Sequence, residues 1–332
     1  MILTVTPNPS IDRTVTLGSP LTRGAIHRVG SVSVEPGGKG VNVARALKLA
    51  DVDAVALLPA LGADPLLTAL EASGVRFVSI PLTGATMAVR TNITITEPDG
   101  TTTKLNEPGA MLDGAAVDAL SRAVVEHAAH ATWVVLSGSL PPGVPDRWYA
   151  DIAAQLAPLG CRVVVDTSDR PLAELARSLD RAACELLKPN AEELASITGT
   201  SVAEFEHAMD EGDPQPVIAA ARQLVDRGAS SVLATLGAAG AVLVDQTGGW
   251  FATSGPVVTR STVGAGDSAL AGYLRAQVAG ATAPERLRMA VAYGRAAAAL
   301  PGSALPTPAA VDTGAVRVTP VASAQSSPLH RH

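Results

Sequence analysis

The chain has 332 residues, a formal net charge of -6, and 47% hydrophobic against 17% charged residues. This composition excludes a disordered chain, and with no Lys/Arg-rich run in the sequence we expect neither a nucleic-acid groove nor a nucleic-acid partner. The two cysteines show no metal-ligand or CxxC spacing, and no secretory signal or membrane-spanning stretch is recognisable. We therefore expect a cytoplasmic protein that does not enter a membrane.

Short apolar strands alternate with Ala-rich helices along most of the chain. The predicted strands cover 2–6, 52–58, 133–137, 162–166, 231–235 and 241–245, and helices are predicted over 41–49 and 65–73. Strands that alternate with helices indicate an α/β fold, with a mostly parallel central sheet flanked by helices on both faces.

One segment breaks this rhythm. Residues 91–96 alternate polar and apolar side chains, 101–106 are rich in Thr, and Glu97-Pro98-Asp99-Gly100 between them is a strong turn signal. We predict an antiparallel hairpin that belongs to a small β-sheet lid built from about 11–34 and 88–107. The alternative is an ordinary edge hairpin. The remaining prediction is one domain over 1–312 followed by a flexible tail over 313–332.

The strongest motif is the string STVGAGDS that ends at Ser268, followed by an Ala- and Leu-rich stretch that predicts a helix. Glycines just before a helix leave backbone N–H groups accessible, and the helix dipole favours an anion there. Asp267 among those donors suits a general base that accepts a hydroxyl proton. The alternative role for Asp267 is a helix cap.

A second glycine-rich loop, EPGGKGVNVAR, ends at Arg45 and also leads into a helix. It lacks the Ser or Thr of a Walker loop and the third glycine of a dinucleotide fingerprint. It suits a cradle for a polyhydroxy ligand, in which Asn42 offers both a donor and an acceptor. The alternative is a tight turn.

Two further motifs suit a nucleotide. In KPNAEEL, Asn190 and Glu193 share one face at a helix start, where oxygen ligands would hold Mg²⁺ through waters; the alternative is a capping box. In TLGAAG, the glycines between two strands leave room for a nucleotide, or simply make a turn.

Three weaker signals concern the other ligand. SGSLPPG follows a strand, and parallel sheets bind ligands at the carboxyl ends of their strands. Asp12 is a lone carboxylate near the end of the first strand. Arg90 and Lys104 lie on the predicted lid hairpin, where either side chain could pair with a phosphate or simply be solvated.

Taken together and in this order, NPSID, GGKGVNVAR, SGSLPPG, KPNAEEL, TLGAAGA and TVGAGDS resemble the ribokinase-like family of carbohydrate kinases over about residues 1–310. The nearest likeness is to the branch of 1-phosphofructokinases and tagatose-6-phosphate kinases. Ribokinases usually have Asp-Thr where this chain has Ser261-Thr262, as phosphosugar kinases do, and NEPG at 106–109 also resembles those kinases. The 6-phosphofructokinase branch has a similar STVGAGDS but tends to have glycine where this chain has Lys39.

The resemblance implies a role for each motif. Asp267 would be the base and 264–266 the anion hole, with the acceptor sugar phosphate and ATP held nearby. The implied anion-hole residues are Gly264, Ala265 and Gly266. The implied sugar-phosphate residues are Asp12, Gly38, Lys39, Asn42, Arg90 and Ser139. The implied ATP-site residues are Lys188, Asn190, Thr235, Gly237 and Gly240, with Glu193 near Mg²⁺ through water.

The resemblance also implies cofactors and partners. ATP would be the phosphoryl donor, with Mg²⁺, and the lid would join two copies in a homodimer. Some relatives bind a monovalent cation near residues that match Ser261, Val263 and Gly302, but Leu300 and Ala304 replace polar residues there.

The expected reaction is phosphorylation of D-fructose 1-phosphate to fructose 1,6-bisphosphate. Tagatose 6-phosphate and fructose 6-phosphate are alternative acceptors. A catalytically silent regulator that binds nucleotide or sugar phosphate is an alternative of a different class, against which the intact Asp267 and glycine loop argue. A dehydrogenase is disfavoured by the incomplete dinucleotide fingerprint.

Overall fold

The protein folds around two β-sheets. The computed structural model describes residues 1–81 and 88–321. The strands, numbered in chain order, are β1 Ile2–Val5, β2 Ser10–Leu17, β3 Val29–Gly37, β4 Ala54–Ala60, β5 Arg76–Pro81, β6 Arg90–Thr96, β7 Thr102–Asn106, β8 Trp133–Ser137, β9 Arg162–Asp166, β10 Cys184–Leu187, β11 Ser231–Thr235, β12 Ala241–Asp245, β13 Gly248–Ser254 and β14 Val316–Val321.

Helices connect most of these strands. They are α1 Lys39–Leu49, α2 Pro65–Ala72, α3 Gly114–Ala128, α4 Trp148–Leu156, α5 Asp169–Arg177, α6 Ala191–Thr198, α7 Val202–Asp210, α8 Gln215–Asp226, α9 Ala265–Val278 and α10 Ala283–Ala298. None of the helices in the described ranges is long and apolar enough to cross a membrane.

The large sheet has ten described strands in the order β14-β13-β12-β11-β10-β9-β8-β1-β4-β5. All pairs from β11 to β5 are parallel, whereas β11 to β14 pair antiparallel. The parallel strands are apolar on both faces because helices cover both. Val134 packs in the cluster that contains Leu120, and its neighbour Val135 packs in the cluster that contains Leu270. The prediction of a mostly parallel α/β fold is confirmed.

The lid is a separate four-stranded sheet in the order β3-β2-β6-β7. Strand β2 pairs parallel to β6, so Asp12 lies opposite Asn92, and β6 and β7 form the predicted hairpin. Alternation along these strands makes one face polar and the other apolar. The apolar face includes three exposed side chains, those of Val32, Val34 and Leu105. A lid sheet, and not an edge hairpin of the main sheet, is therefore what the structure shows.

The prediction of a flexible tail over 313–332 needs correction. Val316–Val321 is strand β14 and pairs along its whole length with β13, from Ser254 opposite Val316 to Gly249 opposite Val321. Val316 is 2% exposed, because it packs into the core beneath α10. The sequence from 313 onward is rich in small residues, and strand pairing overrides that local signal. The rest of the predicted tail, 322–332, lies outside the described residues.

Candidate active site

The general base predicted at Asp267 lies in the first turn of α9, at the edge of the large sheet where the parallel strands end. Gly264 precedes the helix with a left-handed φ of 73°, a conformation that favours glycine. The first-turn N–H groups of a helix have no intrahelical partner, so they can hold an anion. Asp267 is 7% exposed. The loop and the helix together place a buried carboxylate beside the first-turn N–H groups, of which Ala265 N donates to Thr262 O at 3.4 Å.

Helix α1 brings Asn42 to this carboxylate. The Asn42 Nδ2 group donates to Asp267 Oδ2 at 2.9 Å. This contact depends on the glycines of the second motif, because a Cβ at Gly40 would lie 2.5 Å from Thr6 Oγ1. Gly38 is the N-cap residue of the helix at a φ of 105°, and a Cβ there would lie 2.7 Å from Thr6 Cγ2 and 3.3 Å from Pro9 Cα. Without these glycines, α1 could not approach β1 closely enough for Asn42 to reach the base.

Asp166 links two lysines at the end of β9. Lys39 Nζ lies 2.8 Å from Asp166 Oδ1, and Lys188 Nζ lies 3.2 Å from Asp166 Oδ2. Asp166 is fully buried and Lys188 is 4% exposed. A buried charge is tolerated only when it is paired, so this carboxylate fixes both ammonium groups in the site. Together with Asp267, these three residues form what we call the charge cluster: Lys39, Asp166, Lys188 and Asp267.

The members of the charge cluster shift one another's pKa values. Burial raises the pKa of Asp267 to about 6, against the opposing charge of Lys39, and Asp166 adds to the rise. Burial would also lower the pKa of Lys39, but Asp166 and Asp267 outweigh it and the pKa is raised. At pH 7 Asp267 is therefore mostly ionised, and its raised pKa makes the carboxylate a stronger base than an ordinary aspartate. Both properties suit a general base.

The KPNAEEL motif places Lys188 close to the glycine loop. A Cβ at Gly266 would lie 3.5 Å from Lys188 Nζ, so the ammonium lies beside the candidate anion hole. Asn190 and Glu193 form the capping box that was the alternative interpretation: Glu193 N donates to Asn190 Oδ1 and Asn190 N donates to Glu193 Oε2, both at 2.8 Å. Burial raises the pKa of Glu193, although Lys39 opposes this.

The TLGAAG loop lies next to KPNAEEL. Thr235 N donates to Pro189 O at 3.0 Å, which joins the end of β11 to the start of the capping box. Gly240 has a φ of 114°, and a Cβ there would lie 2.0 Å from Ala252 O, so its glycine is required by the turn itself. Gly237 has open space on its side. Gly240 is therefore required by a tight turn, whereas Gly237 leaves open space near the KPNAEEL motif.

Three of the predicted sugar-phosphate residues, Asp12, Arg90 and Ser139, lie at the base of the lid. Ser139 follows β8, and its Oγ accepts from Asn8 Nδ2 at 3.2 Å. Arg90 begins β6 and donates through Nη1 to Glu107 O at 3.2 Å. Burial lowers the pKa of Arg90, and the nearby Asp12 carboxylate opposes that shift. Asp12 and Arg90 thus lie together on the lid, apart from the charge cluster but on the side of the lid that meets the main domain.

Two contacts show which face of the lid turns inward. A Cβ at Gly302, in the loop after α10, would lie 3.2 Å from Thr14 Oγ1. Thr14 and Asp12 are two residues apart on β2 and share the polar face. Leu305, from the same loop as Gly302, lies near Gly264. The polar face of the lid is therefore turned toward the end of the domain that carries Asp267.

Sequence reasoning missed Asp166, Asn8 and Asn92 as site residues. Asp166 was predicted as the last residue of a strand, so its position at the carboxyl edge was available as a signal. Asn8 is 4% exposed and joins Pro108 O, at 3.0 Å, to Ser139 Oγ. No local pattern indicates such long-range bonds, because their partners are more than 90 residues away in the chain.

The residues present fit a loosely held Mg²⁺. In the described part of the chain no group of three or more His, Cys, Asp or Glu side chains is arranged to hold a metal. Mg²⁺ in kinases is commonly bound by one or two carboxylates together with waters and substrate phosphates. Glu193 accepts the capping hydrogen bond from Asn190 N through Oε2, which leaves Oε1 for a contact with a metal-bound water. The donor set therefore suits an ion that arrives with nucleotide phosphates.

Comparisons with known proteins agree with this geometry. The profile of the pfkB family carbohydrate kinases matches residues 6–310. The chain is 35% identical to the 1-phosphofructokinase of Rhodobacter capsulatus over 92% of this chain and 93% of that one. It is 32% identical to the ATP-dependent 6-phosphofructokinase isozyme 2 of Escherichia coli over 92% and 94%.

Solved structures give the same answer for the fold. The Escherichia coli phosphofructokinase-2 crystallised with substrates and products superposes with a TM-score of 0.83, at 30% identity, over 93% of this chain and 96% of that chain. The chain belongs to the pfkB family of carbohydrate kinases. It is an ATP-dependent sugar-phosphate kinase with the ribokinase-like fold.

Proposed function

We propose that the protein phosphorylates D-fructose 1-phosphate to fructose 1,6-bisphosphate. The observation that carries this proposal is Lys39, whose ammonium lies 2.8 Å from Asp166 inside the charge cluster. The resemblance distinguishes 1-phosphofructokinases from 6-phosphofructokinases at this position, where the latter tend to have glycine. The 33–35% identity to three 1-phosphofructokinases supports the same substrate.

The proposed mechanism is direct in-line transfer. The acceptor hydroxyl gives its proton to Asp267, whose carboxylate Asn42 orients through the 2.9 Å hydrogen bond. As the acceptor oxygen bonds to the γ-phosphorus, the bond to the β–γ bridging oxygen breaks and ADP leaves. The N–H groups of 264–266 and the two lysines stabilise the negative charge of the transferred group. Glu193 would hold Mg²⁺ through water, and the ion would supply charge neutralisation at the ATP phosphates.

The remaining residues divide between the two substrates. Asp12, Gly38, Arg90 and Ser139 are proposed to hold the sugar phosphate, with Arg90 on its phosphate. Lys188, Asn190, Thr235, Gly237 and Gly240 are proposed to line the ATP site. Their positions on either side of the charge cluster support this division, because in-line transfer needs donor and acceptor on opposite sides of the transferred group.

An ADP-release assay with ATP and Mg²⁺ tests the substrate. We expect a kcat/KM for fructose 1-phosphate at least about tenfold above that for fructose 6-phosphate or tagatose 6-phosphate. Fructose 6-phosphate is the second candidate, because the 6-phosphofructokinase isozyme 2 of Escherichia coli is 32% identical. A higher value for either rival would replace the proposed substrate. Folded protein that binds ATP and turns over none of the three would instead support the regulator hypothesis.

We also propose that two copies associate through the apolar face of the lid. Val32, Val34 and Leu105 are 41%, 53% and 54% exposed there, and exposed apolar patches mark interaction sites. A tetrameric form of Escherichia coli phosphofructokinase-2 is known, at 30% identity to this chain. Light scattering should give twice the protomer mass; a monomer at micromolar concentration would contradict the proposal.

A monovalent cation is proposed near Ser261, Val263 and Gly302. Ser261 Oγ accepts from Val263 N at 3.1 Å, which shapes the loop before α9. The phosphofructokinase-2 of Escherichia coli has been crystallised in complex with potassium. Replacing K⁺ by tetramethylammonium in the assay should lower turnover; equal rates in both salts would remove the cation from the proposal.

A further inference from the structure

Three polar side chains at the base of the lid form a closed hydrogen-bonded triangle. Ser10 Oγ donates to Asp12 Oδ1 at 2.8 Å. Asn92 Nδ2 donates to the same Asp12 oxygen at 3.0 Å and to Ser10 Oγ at 3.0 Å. Because Asp12 Oδ1 can only accept, the amide orientation of Asn92 is fixed with its NH₂ group toward the triangle.

This triangle uses all of its own donors. The two amide hydrogens of Asn92 and the hydroxyl hydrogen of Ser10 are each committed, and a carboxylate has none. The two side-chain atoms left over are Asp12 Oδ2 and Asn92 Oδ1, and both are acceptors. Neither has a hydrogen-bond partner in the described ranges 1–81 and 88–321, and Asn92 Oδ1 is buried. An unsatisfied buried acceptor is costly, which favours a ligand that donates.

The triangle lies where the acceptor substrate is proposed to bind. Asp12 and Asn92 are direct neighbours in the parallel β2–β6 register. The Asp12 carboxylate covers Gly37, at which any Cβ would lie 2.3–2.4 Å from the carboxylate atoms. Arg90 begins the same strand as Asn92, two residues earlier and therefore on the same polar face. Asp12 Oδ2 and Asn92 Oδ1, both acceptors, therefore share one face of the lid with the Arg90 guanidinium.

We propose that Asn92 is a specificity residue that holds Asp12 in place and itself supplies a second acceptor, so that the pair binds two hydroxyl groups of the sugar. The chemical class recognised is a sugar with two neighbouring hydroxyl donors near a phosphate. A phosphate could not replace the hydroxyls at this point, because two acceptors, one of them on a carboxylate, would repel its oxygens. The inference rests on the sugar-phosphate kinase activity and adds Asn92 and Ser10 to its binding site.

Steady-state kinetics of Asn92→Ala test the role. We expect KM for the sugar phosphate to rise roughly 10- to 100-fold, because one acceptor is lost and Asp12 loses a donor. KM for ATP should stay within about twofold, since the charge cluster and the nucleotide loops are untouched. Asn106→Ala is the matched control. Asn106 lies directly opposite Asn92 on the same face and donates no side-chain hydrogen bond in the described ranges.

Deoxy analogues separate binding from mere support of the lid. For the wild type, removal of one ring hydroxyl from the preferred acceptor should lower kcat/KM roughly 10-fold or more. In Asn92→Ala, removal of the hydroxyl that Asn92 would bind should lower kcat/KM little further, because the variant already lacks the acceptor for that hydroxyl. An equal loss for every analogue in both proteins, or an equal KM rise in Asn106→Ala, would overturn the proposal.

Calorimetry measures binding of the sugar phosphate without turnover, so it tests the role of Asn92 independently of the proposed reaction. Failure of turnover with all three sugar phosphates would reject the proposed substrate. Binding of fructose 1-phosphate to the wild-type protein would then still be measured with a non-hydrolysable ATP analogue present. Weaker binding to Asn92→Ala by roughly 10-fold would support the inference without turnover. Unchanged binding, or no binding even to the wild type, would refute it.

Discussion

The charge cluster and the lid use their side chains in opposite ways. Asp166 is 0% and Lys188 4% exposed, and their charges are fixed by ion pairs between the ends of the large-sheet strands. On the lid, Val34 and Leu105 are 53% and 54% exposed, and the sheet is only four strands wide. The comparison sets buried, paired charges, where phosphoryl transfer is proposed to occur, against a lid with an exposed outer face, where the acceptor is proposed to bind.

Buried ion pairs make the charge cluster sensitive to the loss of any one charge. Removal of one partner from a buried ion pair leaves the other charge uncompensated in a medium of low dielectric constant. Among the residues that the structure describes, no ion pair involves the outer face of the lid, so the stability of the lid depends on its strand hydrogen bonds and on burial of its outer valines at the proposed dimer interface. The following changes should affect the two regions by very different amounts.

Loss of the Asp166 carboxylate should have the largest effect. In Asp166→Ala, Lys39 and Lys188 would be left close together without the anion, so we expect a loss of about 3–5 kcal/mol in the free energy of unfolding. Urea denaturation measures it. The control is Asp53→Ala, because Asp53 pairs with Arg76 at a site where both side chains are more than 60% exposed. There we expect less than about 1 kcal/mol. Similar losses in both variants would refute the distinction between buried and exposed pairs.

Loss of the proposed base should separate activity from stability. Asp267→Asn should lower kcat by roughly 10²-fold or more, since no other group at this position can take the proton. A carboxyl group whose pKa is raised in the folded state favours folding only when protonated, so its charge destabilises the protein above about pH 4. At pH 7 the variant should therefore be as stable as the wild type, or more stable by up to about 3 kcal/mol.

Stopped-flow kinetics measures kcat, and urea denaturation measures the free energy of unfolding on the same preparation. A folded Asp267→Asn variant with a kcat near that of the wild type would remove Asp267 from the role of base. A large loss of stability would show that the carboxylate is a structural partner.

The pH dependence of kcat/KM should report the charge cluster. With Asp267 at a pKa of about 6, the rate should be full above that pH and fall about tenfold per pH unit below it. Lys39 lowers this pKa, so Lys39→Gln should move the acid limb to higher pH. Lys104→Gln, on the lid, is the control and should leave the midpoint in place. An acid limb that does not move in Lys39→Gln would contradict the electrostatic coupling.

The smallest effect on folding is expected at the outer face of the lid. Val34→Lys should change the free energy of unfolding of the protomer by less than about 0.5 kcal/mol, because the side chain is exposed. It should nevertheless shift the measured mass from dimer to monomer, since a charge would be buried at the proposed interface. Ser31→Lys, on the opposite face of the same strand, should not. Dimers that persist in Val34→Lys would exclude this face as the interface.

Local sequence patterns determined much of the fold. The strands at 133–137, 162–166, 231–235 and 241–245 were predicted with their observed bounds, because continuous apolar runs bounded by polar or turn residues suit a doubly covered parallel sheet. The first strand was predicted one residue too long, and β4 was predicted two residues early. Strands β5, β10, β13 and β14 were missed, since their sequences carry weak alternation and they form because they pair with neighbouring strands.

The sequence by itself also determined the family motifs and the chemical type of the site. Glycines before helices, the proposed base at Asp267 and a capping box at Asn190 are local features, because each depends on residues only a few positions apart in the chain. Only the tertiary structure decided that Asp166 joins Lys39 to Lys188, that Asn42 holds Asp267, and that Asn92 holds Asp12. These partners are between 22 and 225 residues apart, and only packing of the sheet, helices and lid brings their charges and amides together.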